Sequence, residues 1–561
     1  MGNTLKRLEA LKGCYGAGDA ERKGELLRAV ENRVLSRATE VSRLHEVLCF
    51  LRAYPDDGTL LEQVESMLEG FALRKDLRRH REALANSGIV GVVTYYRFFW
   101  FTALWLAQRF PDRLHIDWVD FDRKGLLESR LPVLMPYVER LALEEIGLPA
   151  RRWIERLKNA EETDGAFVVR RFAALEAKEF VLEKVYEELD IPYRLEPGPG
   201  LLQGQETPNR SLAHYPGSPI VFQRGPLELS RKSFPGALRR PPVAEKALSP
   251  ARAKELIDLA REAMIARQRD LDVFIHADPR DVRLLDCGRG LQFACYGTVP
   301  AWRQVLDSVY GFLILKNGVP IGYFLTSSLF RSSEVAYNIF DTYRGGEAAY
   351  VYGRGLAMVR HVFGSDSFVV DPYQMGHENQ EALKSGAWWF YYKLGFRPHD
   401  PDVLRLVERE LGKMKKTPRH RSSISTLEKL SAVEMFLHLG KPREDVLGIV
   451  SRESIGFRVS DYLAERFGGE RERGVKACER EAAKRLGLRS RRGFSAGERL
   501  AWSRWAPLVM TLPRVERWSE KNRRAMVEVV RAKGGRRESD FVRLFDRHRP
   551  LRRAVLELAK P

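Results

Sequence analysis

Cysteine is scarce and scattered. The 561 residues contain five, Cys14, Cys49, Cys287, Cys295 and Cys478, with no Cys-x-x-Cys pair. An odd, dispersed set supplies neither a disulfide framework nor a zinc ribbon, and it fits a reducing cytoplasm. The 11 histidines are dispersed as well, none with a partner at ligand spacing, so no metal site is expected. A phosphate-cradling P-loop and a serine nucleophile elbow are both missing. The opening run, MGNTLKRLEALKGCYGAG, has no apolar stretch of the kind a secretory signal needs, and Lys6 spoils a myristoylation motif at Gly2. One longer apolar run stands out, IVGVVTYYRFFWFTALWLA at 89–107. Arg97 near its middle would cost ~2.5–3.5 kcal/mol in a bilayer, which points to a buried helix and against membrane contact.

What the chain has in excess is positive charge. Lys and Arg number 94 against 75 Asp and Glu, a net of +19. The excess is local: residues 401–561 hold 39 basic and 22 acidic side chains, a net of +17, and the first 400 residues carry the remaining +2. Hydrophobic residues make up 44 % and charged residues 30 %, so this is a globular chain rather than a disordered or fibrous one. Its length implies two to four domains.

Four regions can be separated by pattern. Residues 1–190 carry Leu, Val and Ile at helical spacing over 23–51, 60–77, 141–157 and 167–189, which predicts a mostly helical N-terminal region. Residues 191–245 are rich in Pro and Gly, as in EPGPG, YPGSP and RRPP, and read as a linker with one short strand at PIVFQ, 219–223. Residues 246–400 alternate strands and helices. Residues 401–561 return to helical spacing, at 426–439, 443–467 and 523–533, with basic runs between. That region is too rich in Leu, Val and Trp to be a disordered tail.

In the third region Ser249-Pro250 opens a helix that ends near Gln268. Strands are expected at DVFIHA (272–277), VRLLDC (282–287) and LQFACYG (291–297), then a short helix at 301–309. GFLILK (311–316) and PIGYFLT (320–326) flank Asn317-Gly318, a strong hairpin signal. Strand EVAYNIF (334–340), a helix over 347–363, strand FVVDPY (368–373) and a helix from Asn379 to about Leu394 follow. The expected fold class is α+β, a mixed central sheet flanked by large N- and C-terminal helical regions.

The run SGAWWFYYKLGFRP (385–398) carries a resemblance. It is similar to the last helix and following strand of the GNAT superfamily of N-acyltransferases, with Ala387, Tyr391, Gly395 and Phe396 in the matching places. The order of hairpin, strand, Tyr343-Arg344-Gly345 and helix agrees, and the likeness spans about residues 270–400. It implies a GNAT-like sheet, acetyl-coenzyme A or another acyl-coenzyme A as co-substrate, and an amine as acceptor.

By this resemblance the cofactor lies on Asn338 and Ile339 of the strand and on Tyr343, Arg344, Gly345, Gly346, Ala348 and Ala349 of the loop. A helix N-terminus with its free N–H groups suits a pyrophosphate. Glu347 stands where the family has its central Gly. Facing the phosphate it would repel the anion, and facing outward it would be an ordinary first-turn acid. Tyr391 is the candidate proton donor to the departing thiolate, by resemblance, and its alternative is a core aromatic on an unusually aromatic helix. Asp371 and Glu378 are the candidate bases, and each is otherwise a solvated loop residue. Asp341 and His377 stand nearby. A second reading is non-catalytic: a GNAT fold kept as scaffold, with basic helices in 401–561 binding nucleic acid or an acidic partner.

Overall fold

A computed structural model describes residues 2–198, 206–344 and 346–560. The chain is α+β, 54 % helical with a large mixed sheet. It divides into two compact units.

The first unit comprises Met1–Pro226, Glu255–Ile275 and Lys316–Pro320. One of its cores gathers Leu, Val and Phe side chains from residues 5–92. Another gathers residues 98–195 and Ile265 around a small antiparallel sheet of β1 (Thr94–Tyr96), β3 (Tyr193–Leu195) and β2 (Leu114–Ile116), in that order. The run at 89–107, expected as one buried helix, is instead β1 followed by helix Trp100–Arg109. Gly91, at φ 84°, and the β-branched residues after it break the helical path. No described helix is long and apolar enough to cross a membrane. The strand expected at 219–223 is irregular backbone, although Val221 N donates to Asn317 Oδ1 at 2.9 Å.

The second unit comprises Leu227–Lys254, His276–Leu315 and Ile321–Pro561. Its sheet is built from β4 (Ala244–Ala247), β5 (Ala277–Asp286), β6 (Leu291–Thr298), β7 (Ser308–Lys316), β8 (Val319–Leu329), β9 (Ser332–Ile339), β10 (Ser367–Val370), β11 (Arg397–Pro398) and β12 (Met435–His438). The strand order is β11-β12-β10-β9-β8-β7-β6-β5-β4. Strand β10 runs parallel to β9 and antiparallel to β12. At the β7–β8 turn, Asn317 and Gly318 both have positive φ, 49° and 79°, as a tight primed turn requires.

Several expected elements differ. DVFIHA forms one helical turn, Asp272–Ile275, rather than a strand. The helix expected at 301–309 is a 3₁₀ turn, Pro300–Trp302, before β7. The helix expected at 426–439 is Ile424–Leu430 followed by β12, because MFLH satisfies its backbone against β10 in the register Val370↔Met435 to Ser367↔His438. The helix expected from 443 starts at Arg452, capped by Ser451, since Gly448 at φ 83° turns the chain just before it.

Helix Ala348–Phe363 is buried almost all round, against the sheet on one side and helix Phe234–Arg239 on the other. Two glycines permit this. A Cβ on Gly355 would sit 2.1 Å from the Phe324 ring, and one on Gly353 would sit 2.9 Å from Ala237 Cβ. Arg354 between them is 1 % exposed, and its guanidinium reaches the carbonyls of Ala237, Arg240 and Pro241. Thus part of the Pro/Gly-rich stretch is tied down by one buried cation.

Two outcomes follow. Gly355→Ala should destabilise the second unit by about 1–3 kcal/mol in urea unfolding despite the better helix propensity of alanine, because the methyl has no room. In the first unit Glu183 is buried, and burial followed by the charge of Glu187 pushes its pKa up to about 7. Between the unfolded value near 4.5 and 7 the folded state holds the extra proton, so its contribution to stability falls as pH rises through that window. Glu183→Gln should therefore stabilise at pH 8, by about 1–3 kcal/mol, and change little at pH 4, as read by melting curves across pH.

Candidate active site

The hydrogen-bond ladder between β9 and β10 is short. It runs from Ser332↔Ser367 to Glu334↔Val369 and stops. On its other edge β9 stays paired with β8 through Ile339↔Gly322. From residue 335 onward, β9 therefore lacks a strand partner on the β10 side among the described residues. A cavity of about 350 Å³ opens there.

The cavity brings Asn338 and Ile339 of β9 together with Arg344, Ala348 and Tyr391. Asn338 Oδ1 is buried and accepts no hydrogen bond from a described residue. Tyr337, also on β9, donates from its hydroxyl to Ala348 O at 3.1 Å, which fixes the start of helix Ala348–Phe363 beside the strand. Arg344 stands at the rim, held by Asp341 at 2.9 Å and by Glu381. Tyr343, Gly346 and Ala349 are buried behind the lining: Gly346 N donates to Tyr343 O at 2.9 Å. Gly345 lies outside the described residues.

Glu347 is turned away from this space. It is 5 % exposed, does not line the cavity, and its Oε1 accepts from Glu228 N at 3.2 Å. The like-charge repulsion that its place in the loop suggested is thereby reduced, because the carboxylate is engaged by a backbone donor elsewhere.

Tyr391 lies on helix Ala387–Lys393, which Gly386 at φ 67° separates from Gln380–Ser385. One continuous helix was the expectation; the left-handed glycine breaks it. The aromatic run around Tyr391 divides by face. Trp388 stacks with Tyr392 at 5.2 Å, while Tyr391 meets Tyr352 at 5.7 Å and Phe396 at 5.8 Å, edge to face. Tyr391 is buried, yet its hydroxyl makes no hydrogen bond to a described residue, and burial pushes its pKa well above the phenol range. The Tyr352 hydroxyl behind it is also buried, with no partner among the described residues.

Asp371 and Glu378 do not line the cavity. Asp371 caps the short helix Pro372–Met375, accepting from Tyr373 N at 2.8 Å, and Glu378 is exposed with φ 53°. His377 is exposed, and Asp341 serves Arg344. Sequence reasoning missed Glu334, the last β9 residue paired with β10, which stands where the ladder ends and, like Asp371, outside the cavity lining. Its carboxylate forms no hydrogen bond or ion pair with a described residue, and its pKa is raised by burial first and then by Asp371. The signal was present as the one acid of the strand, at positions alternating with Ala336 and Asn338. Among the described residues no group of three or more His, Cys, Asp or Glu is placed to hold a metal ion.

Compared with family models, curated proteins and solved structures, the chain matches none.

Because the Tyr391 hydroxyl is unbonded, Tyr391→Phe should change stability by less than about 0.5 kcal/mol in chemical unfolding. A larger loss would mean that the hydroxyl is a structural group.

Proposed function

We propose that the second unit is an acyltransferase of the GNAT kind, which moves an acyl group from acyl-coenzyme A to an amine. The observation that carries this reading is the separation of β9 from β10 beside an unbonded buried phenol.

The donor set of the cavity fits the co-substrate. The pantetheine arm carries amide groups, and the free edge of β9 from residue 335, with the orphaned Asn338 Oδ1, presents the backbone and side-chain partners that amides need. The first turn of helix Ala348–Phe363 supplies the positive end of a helix dipole for a pyrophosphate, and Arg344 at the rim, now paired with Asp341 and Glu381, would exchange those carboxylates for phosphate. Bound there, acyl-coenzyme A would supply a thioester carbonyl open to attack by an amine.

Glu334 takes the proton that an arriving ammonium loses to free its lone pair, and the second N–H proton, shed as the bond to the acyl carbon forms, passes to the departing sulfur. Burial lifts this carboxyl toward neutrality, which makes it a better matched base than an ordinary glutamate. Tyr391 donates a hydrogen bond to the sulfur that leaves as the C–S bond breaks. An ordinary thiol has a pKa near 8.5, well below that of this buried phenol, so Tyr391 steadies the thiolate and keeps its own proton.

Two measurements test the reading. Acetyl-coenzyme A at about 100 times its dissociation constant should add ~2.7 kcal/mol of stability to the full chain, and no melting shift at millimolar concentration would sink the proposal. Tyr391→Phe should lower kcat by about 10–100-fold, with the KM for acetyl-coenzyme A little changed, the pattern of an interaction made in the transition state.

A further inference from the structure

The two faces of the sheet are covered unequally. On β8, Phe324, Thr326 and Ser328 are buried, while Leu325 and Ser327 between them are half-exposed. On β9, Glu334, Ala336 and Asn338 are half-exposed too. Residues directly opposite in an antiparallel ladder share a face, and the register pairs Ser327 with Glu334 and Leu325 with Ala336. Phe324, on the other face, lies against Gly355 and Tyr352 of helix Ala348–Phe363. Ser327, Glu334, Ala336 and Asn338 therefore form a strip on the face turned away from that helix.

At one end of the strip, helices Arg452–Phe467 and Ala496–Thr511 border an open cavity of about 630 Å³. Its walls include Leu306, Val309, Ile455, Val459 and Leu508. Its polar groups are mostly committed. Ser327 Oγ donates to Asp307, whose carboxylate also takes Arg452 Nη1 at 2.9 Å. Arg504 donates to the carbonyls of Pro300, Ala301 and Arg303.

Beside the cavity and directly across from Ser327, the Glu334 carboxylate has no such partner among the described residues, and Asp371, Asp307 and Glu434 act on it electrostatically against Arg452. The surroundings thus favour a cation at Glu334 and an apolar body in the cavity. At the other end of the strip, four residues and about 13 Å along the strand from Glu334, Asn338 lines the cavity that holds Tyr391.

We infer that the strip and the larger cavity form a binding site for a protonated primary amine on an apolar body, with the ammonium at Glu334 and the aliphatic or aromatic part between the two helices. Its role as the acceptor site rests on the acyltransferase reading; its binding chemistry does not.

The test is thermal unfolding of the full chain with three probes of one shape: 4-phenylbutylamine, 4-phenylbutyrate and 4-phenylbutanol. The amine should raise the melting temperature at concentrations at least tenfold below those at which the other two act. Gly456 lines the cavity, and a Cβ there would meet nothing within 4 Å, so Gly456→Leu should fold normally while filling the space. In that variant the amine shift should vanish and any acetyl-coenzyme A shift should persist. Glu334→Gln should weaken the amine at least tenfold and leave the alcohol unchanged. Equal effects of amine and carboxylate, or an amine shift untouched in Gly456→Leu, would overturn the inference. If the amine binds as described while acetyl-coenzyme A causes no shift, the amine site stands and the acyltransferase reading falls.

Discussion

Three pairs hold β9 to β10, and the ladder ends at Glu334↔Val369. The acyltransferase reading of the second unit depends on that interruption. A strand whose edge is released inside a sheet must satisfy its backbone groups with something else, because buried N–H and C=O groups are costly to leave unpaired. Here the released edge faces a cavity, and the helix that follows β9 begins beside it, tied back by the Tyr337 hydroxyl. One local break in hydrogen bonding thus supplies an extended backbone edge, a helix N-terminus and an aromatic wall in the same place.

The aromatic wall needs the glycines. Phe324, Tyr337, Tyr352, Tyr391 and Phe396 pack as a connected set of rings, and the helix carrying Tyr352 lies close enough only because positions 353 and 355 have no side chain. The same helix draws Arg354 inward to the carbonyls at 237, 240 and 241. A buried arginine without its partners would be strongly destabilising, so this contact fixes the covering segment as firmly as an apolar one would. Beyond residue 401, several arginines are engaged within the fold by ion pairs, which leave the net charge of that region unchanged. Arg466 pairs with Glu481, Arg485 with Glu516, Arg491 with Glu479 and Arg552 with both Asp445 and Asp546.

Local signals were legible where they were strong. The Asn317-Gly318 hairpin, the strand ending at Ile339 and the helix after it all stand where turn chemistry and periodicity put them. Short apolar runs were not. MFLH and DVFI are too brief for their period to separate strand from helix, and each was settled by packing: the first by an open edge of β10, the second by the start of β5. At the site, one cavity is lined by Asn338, Ile339, Arg344, Ala348 and Tyr391 of the residues the resemblance singled out, while Tyr343, Gly346, Ala349, Asp371 and Glu378 do not line it. Glu334 escaped notice because its importance lies in where the ladder stops, which is a property of two strands 35 residues apart in sequence (Glu334 and Val369). Glu347 looked adverse because a sequence cannot show which way a carboxylate turns.

Hydrogen exchange of the full chain with and without acetyl-coenzyme A tests the central claim most directly. Amides at 335–339 and in the first turn of helix Ala348–Phe363 should exchange more slowly with the ligand, while the paired residues 332–334 change little. Unchanged exchange in both segments at millimolar acetyl-coenzyme A would contradict the account.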